Sequence, residues 1–146
     1  AALNDFLRMY AWANHQTGSA RTYVTLRGAR VIGLYSLAAG SVQPDDAPPR
    51  VLKGLARHPV PIILLARLAV DLTEKGKGIG AALLRDALLR CLQASDIIGC
   101  RAVAVHAKDQ AAQSFYQKYG FQQSPIDAFH LYLLMKDIKA SLSSTP

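Results

Sequence analysis

One stretch constrains the fold of this chain more than any other: an apolar strand that leads into a glycine-rich turn and then a helix. Residues 62–70 are almost continuously apolar, which is typical of a central strand covered on both faces. Residues 75–80, Lys-Gly-Lys-Gly-Ile-Gly, open an apolar stripe at helical spacing, formed by Ile79, Leu83, Leu84, Ala87, Leu88, Cys91 and Leu92. This order of elements predicts an α/β chain with a parallel strand pair around the helix.

The glycine-rich turn has the properties of an anion-binding site. At the start of a helix several backbone N–H groups lack partners, and the helix dipole favours an anion there. Gly76, Gly78 and Gly80 allow close approach of a ligand to the backbone, and Lys75 and Lys77 add positive charge. The spacing matches neither Walker A nor the dinucleotide fingerprint. The turn alone therefore leaves a phosphate site and a simple tight turn as alternatives.

The remaining patterns predict a single domain over residues 1–140 with a disordered tail at 141–146. Apolar residues at helical spacing predict a helix over 2–15. Further predicted elements are a hairpin of strands 22–26 and 31–38, a loop at 43–50, a short helix at 50–56, strands at 101–107 and 131–136, and a helix at 110–119. Asp109 is its expected N-cap and Gly120 its expected end.

Composition excludes several classes of protein. The chain is 51% hydrophobic and 18% charged, which excludes intrinsic disorder. Its longest apolar run, residues 62–66, is too short to span a bilayer, and nothing near Ala1 has the pattern of a signal peptide. Cys91 and Cys100 cannot form a disulfide framework and are expected to be reduced thiols. These features favour a cytoplasmic protein.

The charge balance favours an anionic partner. The chain has 17 Lys or Arg against 10 Asp or Glu, a net charge of +7. A basic surface attracts polyanions such as nucleic acid, but a phosphate-rich cofactor would favour the same residues, and the charge also aids solubility.

Two motifs together resemble the GCN5-related N-acetyltransferases (GNAT family). The first is the strand 68–71 followed by Lys75-x-x-Gly78-x-Gly80-Ala81, in which Lys75 stands where the family has Gln or Arg. The second, residues 112–121, matches the family signature A-x-x-F-Y-x-x-x-G-F. The resemblance covers residues 20–136. It implies a mixed, mostly antiparallel central sheet with a splayed parallel strand pair and flanking helices.

The resemblance also implies acetyl-CoA as cofactor and assigns its site. Backbone groups of the central strand would pair with the pantetheine arm, and amides of the turn would hold the pyrophosphate. The cofactor-binding residues are Leu68, Ala69, Val70, Lys75, Gly76, Lys77, Gly78, Ile79, Gly80 and Ala81. Tyr116 would be the general acid for the leaving thiolate. The alternative for Tyr116 is a core aromatic, a role that Phe115 fits better. No metal site is expected.

A closer resemblance is to the acetyltransferase toxins of bacterial toxin–antitoxin operons. It is carried by residues 11–24, 33–38 and 59–71 and by Val105-His106-Ala107. It implies a bacterial cytoplasmic toxin that acetylates the α-amine of aminoacyl-tRNA and blocks translation. The implied partners are a ribbon-helix-helix antitoxin, through which alone DNA would be contacted, and a second copy in a homodimer. The family also has a strand ahead of the first helix, whereas this chain begins within that helix.

The scarcity of candidate bases agrees with such a substrate. Glu74 is expected to be a solvated loop charge, Asp71 could hold a water or cap a turn, and His106 is expected to be a hydrogen-bonded core residue. An α-amine, with a pKa of ~7.7–8.0, needs less help to lose a proton than a lysine at ~10.4.

Three arginines are candidates for contact with tRNA phosphates, with ordinary surface residues as the alternative: Arg8, Arg21 and Arg67. Trp12 is expected to lie in the core or at a dimer contact.

Two other functions stay open from the sequence. The chain could acetylate a small-molecule amine or a protein N-terminus, or it could be a non-catalytic module that binds acyl-CoA or RNA. Steep dependence of activity on salt would favour the tRNA substrate, since each phosphate contact releases counterions.

Overall fold

The structure is a computed structural model that describes residues 15–16 and 18–143. Within them, six strands form one sheet in the order β1-β2-β3-β4-β6-β5, mostly antiparallel, with β3 and β4 parallel. The strands are β1 (Arg21–Arg27), β2 (Arg30–Val42), β3 (Val60–Val70), β4 (Ala102–His106), β5 (Gln122–Gln123) and β6 (His130–Leu134). The helices are α1 (Pro49–Leu52), α2 (Ile79–Ser95), α3 (Gln110–Lys118) and α4 (Met135–Ser143). The predicted fold class is thus confirmed.

Contacts divide the chain into two compact units. The first contains the described residues up to Ala38 together with Leu65–Leu89, and the second contains Ala39–Leu64 and the residues from Arg90 onward. β2, β3 and α2 each contribute residues to both units.

The first unit is built on the predicted hairpin. β1 and β2 pair antiparallel with Tyr23 opposite Tyr35, and their rings stack at 5.1 Å between centroids. Thr22 and Ser36, also opposite each other, share a hydrogen bond of 2.8 Å between hydroxyl oxygens. β-branched and aromatic side chains favour such pairing because they pack well across neighbouring strands. Gly28 lies in the two-residue turn with φ +63°, a conformation that favours glycine.

The second unit has its own apolar core. Its buried members are Val42, Ala47, Val51, Val60, Ile62, Ala102, Ala104, Tyr132 and Leu134. Alternate residues of β4 and β6 enter this core because side chains alternate across a strand. Arg101 fastens α1 to this unit, donating hydrogen bonds from Nε to the carbonyl of Val51 at 2.9 Å and from Nη2 to that of Lys53 at 3.0 Å.

Several boundaries differ from those predicted. β2 extends to Val42, and α1 is a single turn that ends at Leu52 rather than at residue 56. The predicted strand 131–136 ends at Leu134, where α4 begins, because Met135 and Ile138 are buried at helical spacing. α4 continues to Ser143, so the first residues of the predicted tail are helical. Of the predicted first helix, 2–15, only residue 15 is described, and it is helical together with residue 16. The rest of that helix lies outside the described residues, as do residues 144–146.

Other local predictions are confirmed. Asp109 caps α3, its Oδ1 accepting a hydrogen bond of 2.8 Å from the Ala112 N–H. Gly120 follows the helix with φ +95°, and α2 begins directly after the glycine-rich turn. Cys91 and Cys100 are free thiols. No helix in the described part of the chain is both long enough and apolar enough to cross a membrane.

Candidate active site

The glycine-rich turn is an exposed loop directly before α2, in the first unit. Gly76 and Gly78 have φ values of +80° and +79°, and a Cβ on either would meet no atom within 4 Å. The backbone conformation favours glycine at both positions, and the space beside them is open. Residues 75–78 are exposed, so a ligand can approach the N–H groups at the helix start. The turn has the geometry of a site for a phosphate group.

The predicted cofactor strand ends in the same unit. Leu68, Ala69 and Val70 are half-buried at the end of β3. The Asp71 N–H that follows them donates to the carbonyl of Ile32 at 2.8 Å, which ties this end of β3 to β2. A Cβ on Gly33 would lie 3.3 Å from the Ala69 carbonyl and 2.8 Å from Leu83 Cδ1. Glycine at position 33 thus lets the Leu83 side chain and the Ala69 carbonyl lie close to the backbone of β2.

Glu74 contradicts the expectation of a solvated loop charge. Its carboxylate is buried, with 4% of the residue exposed. Oε1 accepts a hydrogen bond of 2.8 Å from Arg27 Nε, and Oε2 lies 3.5 Å from Arg30 Nη2 and 3.3 Å from Lys77 Nζ. The hydrogen bond from Arg27 holds the pKa of Glu74 below its ordinary value. Glu74 is therefore the anionic centre that fixes the segment leading into the glycine-rich turn.

Asp71 belongs to the same network. Arg30 Nη1 donates to Asp71 Oδ2 at 3.1 Å, and the Thr73 hydroxyl donates to that oxygen at 2.7 Å. The side chain does not cap the short 3-10 helix that follows it. Arg27 and Arg30, which flank the turn of the β1–β2 hairpin, thereby support the segment that leads into the glycine-rich turn.

Tyr116 lies on α3, in the second unit, with 7% of its surface exposed. Its ring packs edge-to-face against Phe115 and Phe121, with centroids at 5.2 Å and 5.3 Å. Phe115 is only half-buried, so the expectation that it fits the core better than Tyr116 is wrong. The α3 stripe that faces the interior instead contains Gln113 and Tyr116, one turn apart.

The Tyr116 hydroxyl is available for proton transfer. Among residues 15–16 and 18–143 nothing hydrogen-bonds it, and no buried side-chain oxygen or nitrogen is left without a partner. The hydroxyl oxygen therefore reaches solvent although its ring is buried. Burial raises the pKa of Tyr116 to about 12, which keeps the phenol protonated at neutral pH. A protonated phenol whose hydroxyl oxygen reaches solvent can donate its proton to a leaving thiolate.

The second unit also contains a cavity of about 400 Å³ that the sequence did not indicate. Its apolar wall includes Ile62, Leu64 and Ala104, and its polar wall includes Asp46, His106, Asp127, His130 and Tyr132. His106 is exposed rather than a hydrogen-bonded core residue, so that expectation is wrong. In the β4–β6 pairing it lies opposite His130, and the two imidazole rings stack at 4.0 Å.

Two of the three arginines proposed for tRNA contact lie in the described residues. Arg21 and Arg67 are exposed, and Arg21 Nη1 donates to the carbonyl of His15 at 2.8 Å. Arg8 and Trp12 lie outside the described residues. Within residues 15–16 and 18–143 no group of three or more His, Cys, Asp or Glu side chains could hold a metal ion.

Comparison with known proteins adds independent findings. The family model described as an acetyltransferase (GNAT) domain matches residues 18–123. The tRNA-acetylating toxin of Mycobacterium tuberculosis (strain ATCC 25618 / H37Rv) is 53% identical over 139 residues, which is 95% of this chain and 83% of that protein.

Two solved structures of the protein AtaT share the fold. AtaT complexed with acetyl-methionyl-tRNAfMet gives a TM-score of 0.88 at 27% identity, covering 97% of this chain and 86% of that one. A tyrosine-to-phenylalanine mutant of the AtaT toxin, bound to the C-terminus of the antitoxin AtaR and to acetyl-CoA, gives 0.80 at 26% identity, covering 99% and 85%.

Proposed function

Because the chain belongs to the GNAT acetyltransferase family, we propose that it is the toxin of a bacterial toxin–antitoxin pair, acting in the cytoplasm. It transfers the acetyl group of acetyl-CoA to the α-amine of an aminoacyl-tRNA, and the acetylated tRNA no longer serves elongation. The observation that carries this proposal is the 53% identity, over 95% of the chain, to a tRNA-acetylating toxin.

The first unit supplies the cofactor site. The N–H groups of residues 75–81 bind the pyrophosphate, since the turn is exposed, open beside Gly76 and Gly78, and placed at the positive end of α2. The backbone of Leu68, Ala69 and Val70 pairs with the pantetheine arm as an added strand would. Acetyl-CoA supplies the activated thioester, and the chain binds and orients it.

Tyr116 supplies the proton for the leaving group. Its phenol stays protonated because burial raises its pKa to about 12, and its hydroxyl reaches solvent without a competing partner in the described residues. Donation to the sulfur prevents return of the thiolate, after which the phenol is reprotonated from solvent.

The basic character of the chain fits a tRNA acceptor. The net charge of +7 gives a field that attracts phosphates, and Arg8, Arg21 and Arg67 are the residues we assign to this contact. Arg27 and Arg30 are less suited to it because they are paired with Glu74 and Asp71.

The same charge fits an antitoxin as partner. We expect a small protein with a ribbon-helix-helix DNA-binding end and an acidic, partly disordered segment that folds over the basic surface. DNA is then contacted through the antitoxin. The active form is expected to be a homodimer.

Transfer of labelled acetyl from acetyl-CoA tests the proposal, with charged and uncharged total tRNA assayed side by side. We expect label only on charged tRNA, released together with the amino acid by mild base. Label on uncharged tRNA would place the modification on a nucleotide. Label on neither, with transfer to a free amine instead, would identify a small-molecule acetyltransferase.

A further inference from the structure

The cavity of the second unit contains a cluster of titratable groups to which the mechanism above gives no role. His106 ends β4, His130 begins β6, and Asp127 lies in the connection that precedes β6. The imidazole rings are nearly parallel, 13° apart, and His130 Nε2 lies 3.5 Å from Asp127 Oδ2. His106 is exposed and His130 is half-buried, so both rings are accessible from the cavity.

The connection that carries Asp127 is held in place by several hydrogen bonds. Asp127 Oδ1 accepts from the Phe129 N–H at 2.9 Å, and the buried Ser124 donates its N–H to the His130 carbonyl at 2.7 Å. Gln113 of α3 donates from Nε2 to the carbonyl of Ala128 at 2.7 Å. Because Gln113 lies one turn before Tyr116, the cavity wall and the Tyr116 helix are fastened to each other within this unit.

The charges of the cavity suit a cation that gives up a proton. In a chain with a net charge of +7, its ionisable lining consists of Asp46, Asp127, Tyr132 and the two histidines. The two carboxylates attract a charged ammonium group, and the apolar wall accommodates the neutral amine that remains after it loses a proton. Two imidazoles stacked at 4.0 Å repel each other when both are charged, so a charge on one ring disfavours a charge on the other.

We propose that this cavity receives the α-ammonium group of the acceptor and that the His106–His130 pair, oriented by Asp127, accepts its first proton. The N–H bond breaks, its electron pair stays on the amine nitrogen, and the proton goes to the free imidazole nitrogen of His106 and then to solvent. The second proton lost by the nitrogen balances the one that Tyr116 gives to the thiolate. This inference rests on the proposed acetylation of an α-amine.

The protonation state of His106 agrees with this role. Partial desolvation of the imidazole against the cavity wall lowers the pKa of His106 below its ordinary 6.5, and His130 lowers it further, while Asp127 opposes both. The imidazole is therefore neutral, and able to accept a proton, at the pH where the acceptor amine is still mostly charged.

The pH dependence of kcat/KM tests the proposal, with acetyl-CoA saturating and charged total tRNA as acceptor between pH 5.5 and 8.5. An amine of pKa ~7.7–8.0 is only about 3–6% neutral at pH 6.5 and mostly neutral at pH 8.5. His106→Gln should therefore lose about 15–30-fold in kcat/KM at pH 6.5 and less than about twofold at pH 8.5. The acidic limb of the kcat/KM profile of this variant should move up to the pKa of the amine, and its affinity for acetyl-CoA should be unchanged.

The matched control is His58→Gln, because His58 is an exposed histidine of the same unit that does not line the cavity. It should retain the wild-type profile, and His106→Asn provides a second variant should the first fail to fold. An equal loss at every pH would reduce His106 to a structural role, and an unchanged profile would remove it from the reaction; either overturns the inference while leaving the proposed function intact. A wild-type enzyme that acetylates no charged tRNA would overturn both.

Discussion

Replacement of Tyr116 by phenylalanine separates chemistry from stability because the structure places the ring and the hydroxyl in different environments. The ring packs against Phe115 and Phe121, and phenylalanine preserves those contacts. The hydroxyl reaches solvent and has no partner in the described residues, so its removal leaves no buried group unpaired. The free energy of unfolding should therefore change by no more than about 0.5 kcal/mol.

The rate should change far more than the stability. At pH 7 a phenol with a pKa of about 12 is ionised in only about one molecule in 10⁵, so nearly every Tyr116 can donate. General acid catalysis contributes about 10²–10⁴-fold, equivalent to about 2.7–5.5 kcal/mol of activation free energy. We expect Tyr116→Phe to lose this factor in kcat.

Single-turnover acetylation of charged tRNA measures the rate, calorimetric titration measures acetyl-CoA affinity, and thermal unfolding measures stability. Tyr119→Phe is the matched control, since Tyr119 follows the same helix but is 38% exposed. It should keep the wild-type rate. A Tyr116→Phe enzyme as fast as the wild type would refute the assignment of the general acid, and equal losses in both variants would attribute the effect to packing around Phe115.

Three further predictions concern the turn and the charge of the chain. Gly33→Ala places a Cβ 2.8 Å from Leu83 Cδ1 and 3.3 Å from the Ala69 carbonyl, so it should cost about 1–3 kcal/mol in a denaturant titration. Gly99→Ala, with nothing within 4 Å, should be nearly neutral. Glu74→Gln should lower the melting temperature and the acetyl-CoA affinity at pH 7. Because the pKa of Glu74 is lowered from 4.5, the stability that its charged carboxylate contributes is fully present above pH 4.5 and is lost as the pH falls through the lower pKa of the folded state. A difference in melting temperature between variant and wild type that persists undiminished at pH 3 would contradict the network. Acetylation of charged tRNA should fall steeply between 50 and 200 mM salt, whereas a flat response would exclude phosphate contacts.

The boundaries of β1 and α3 and the start of α2 were accessible from the sequence because their causes are local. Periodicity, the Asp109 cap and the glycines at 76, 78 and 120 act within a few residues of the elements they define. The end of β6 was misplaced for the opposite reason. Met135 and Ile138 are apolar in either element, and only the burial of both shows that they belong to a helix.

The pairs of residues that build the two sites were decided by tertiary structure. Glu74 was expected to be solvated because it lies in the loop before the glycines, yet the hairpin brings Arg27 and Arg30 to its carboxylate. His106 and His130 carry no common motif, and the antiparallel register of β4 and β6 alone sets them side by side.

The sequence by itself determined the family and the elements around the glycine-rich turn, since these depend on residue type and spacing along the chain. Through the family resemblance it also made Tyr116 the candidate acid. Only the folded structure decided which charges are paired, which aromatic of α3 is buried, and which polar groups share a cavity. Pairing between distant strands sets those distances, and burial sets the cost of each charge.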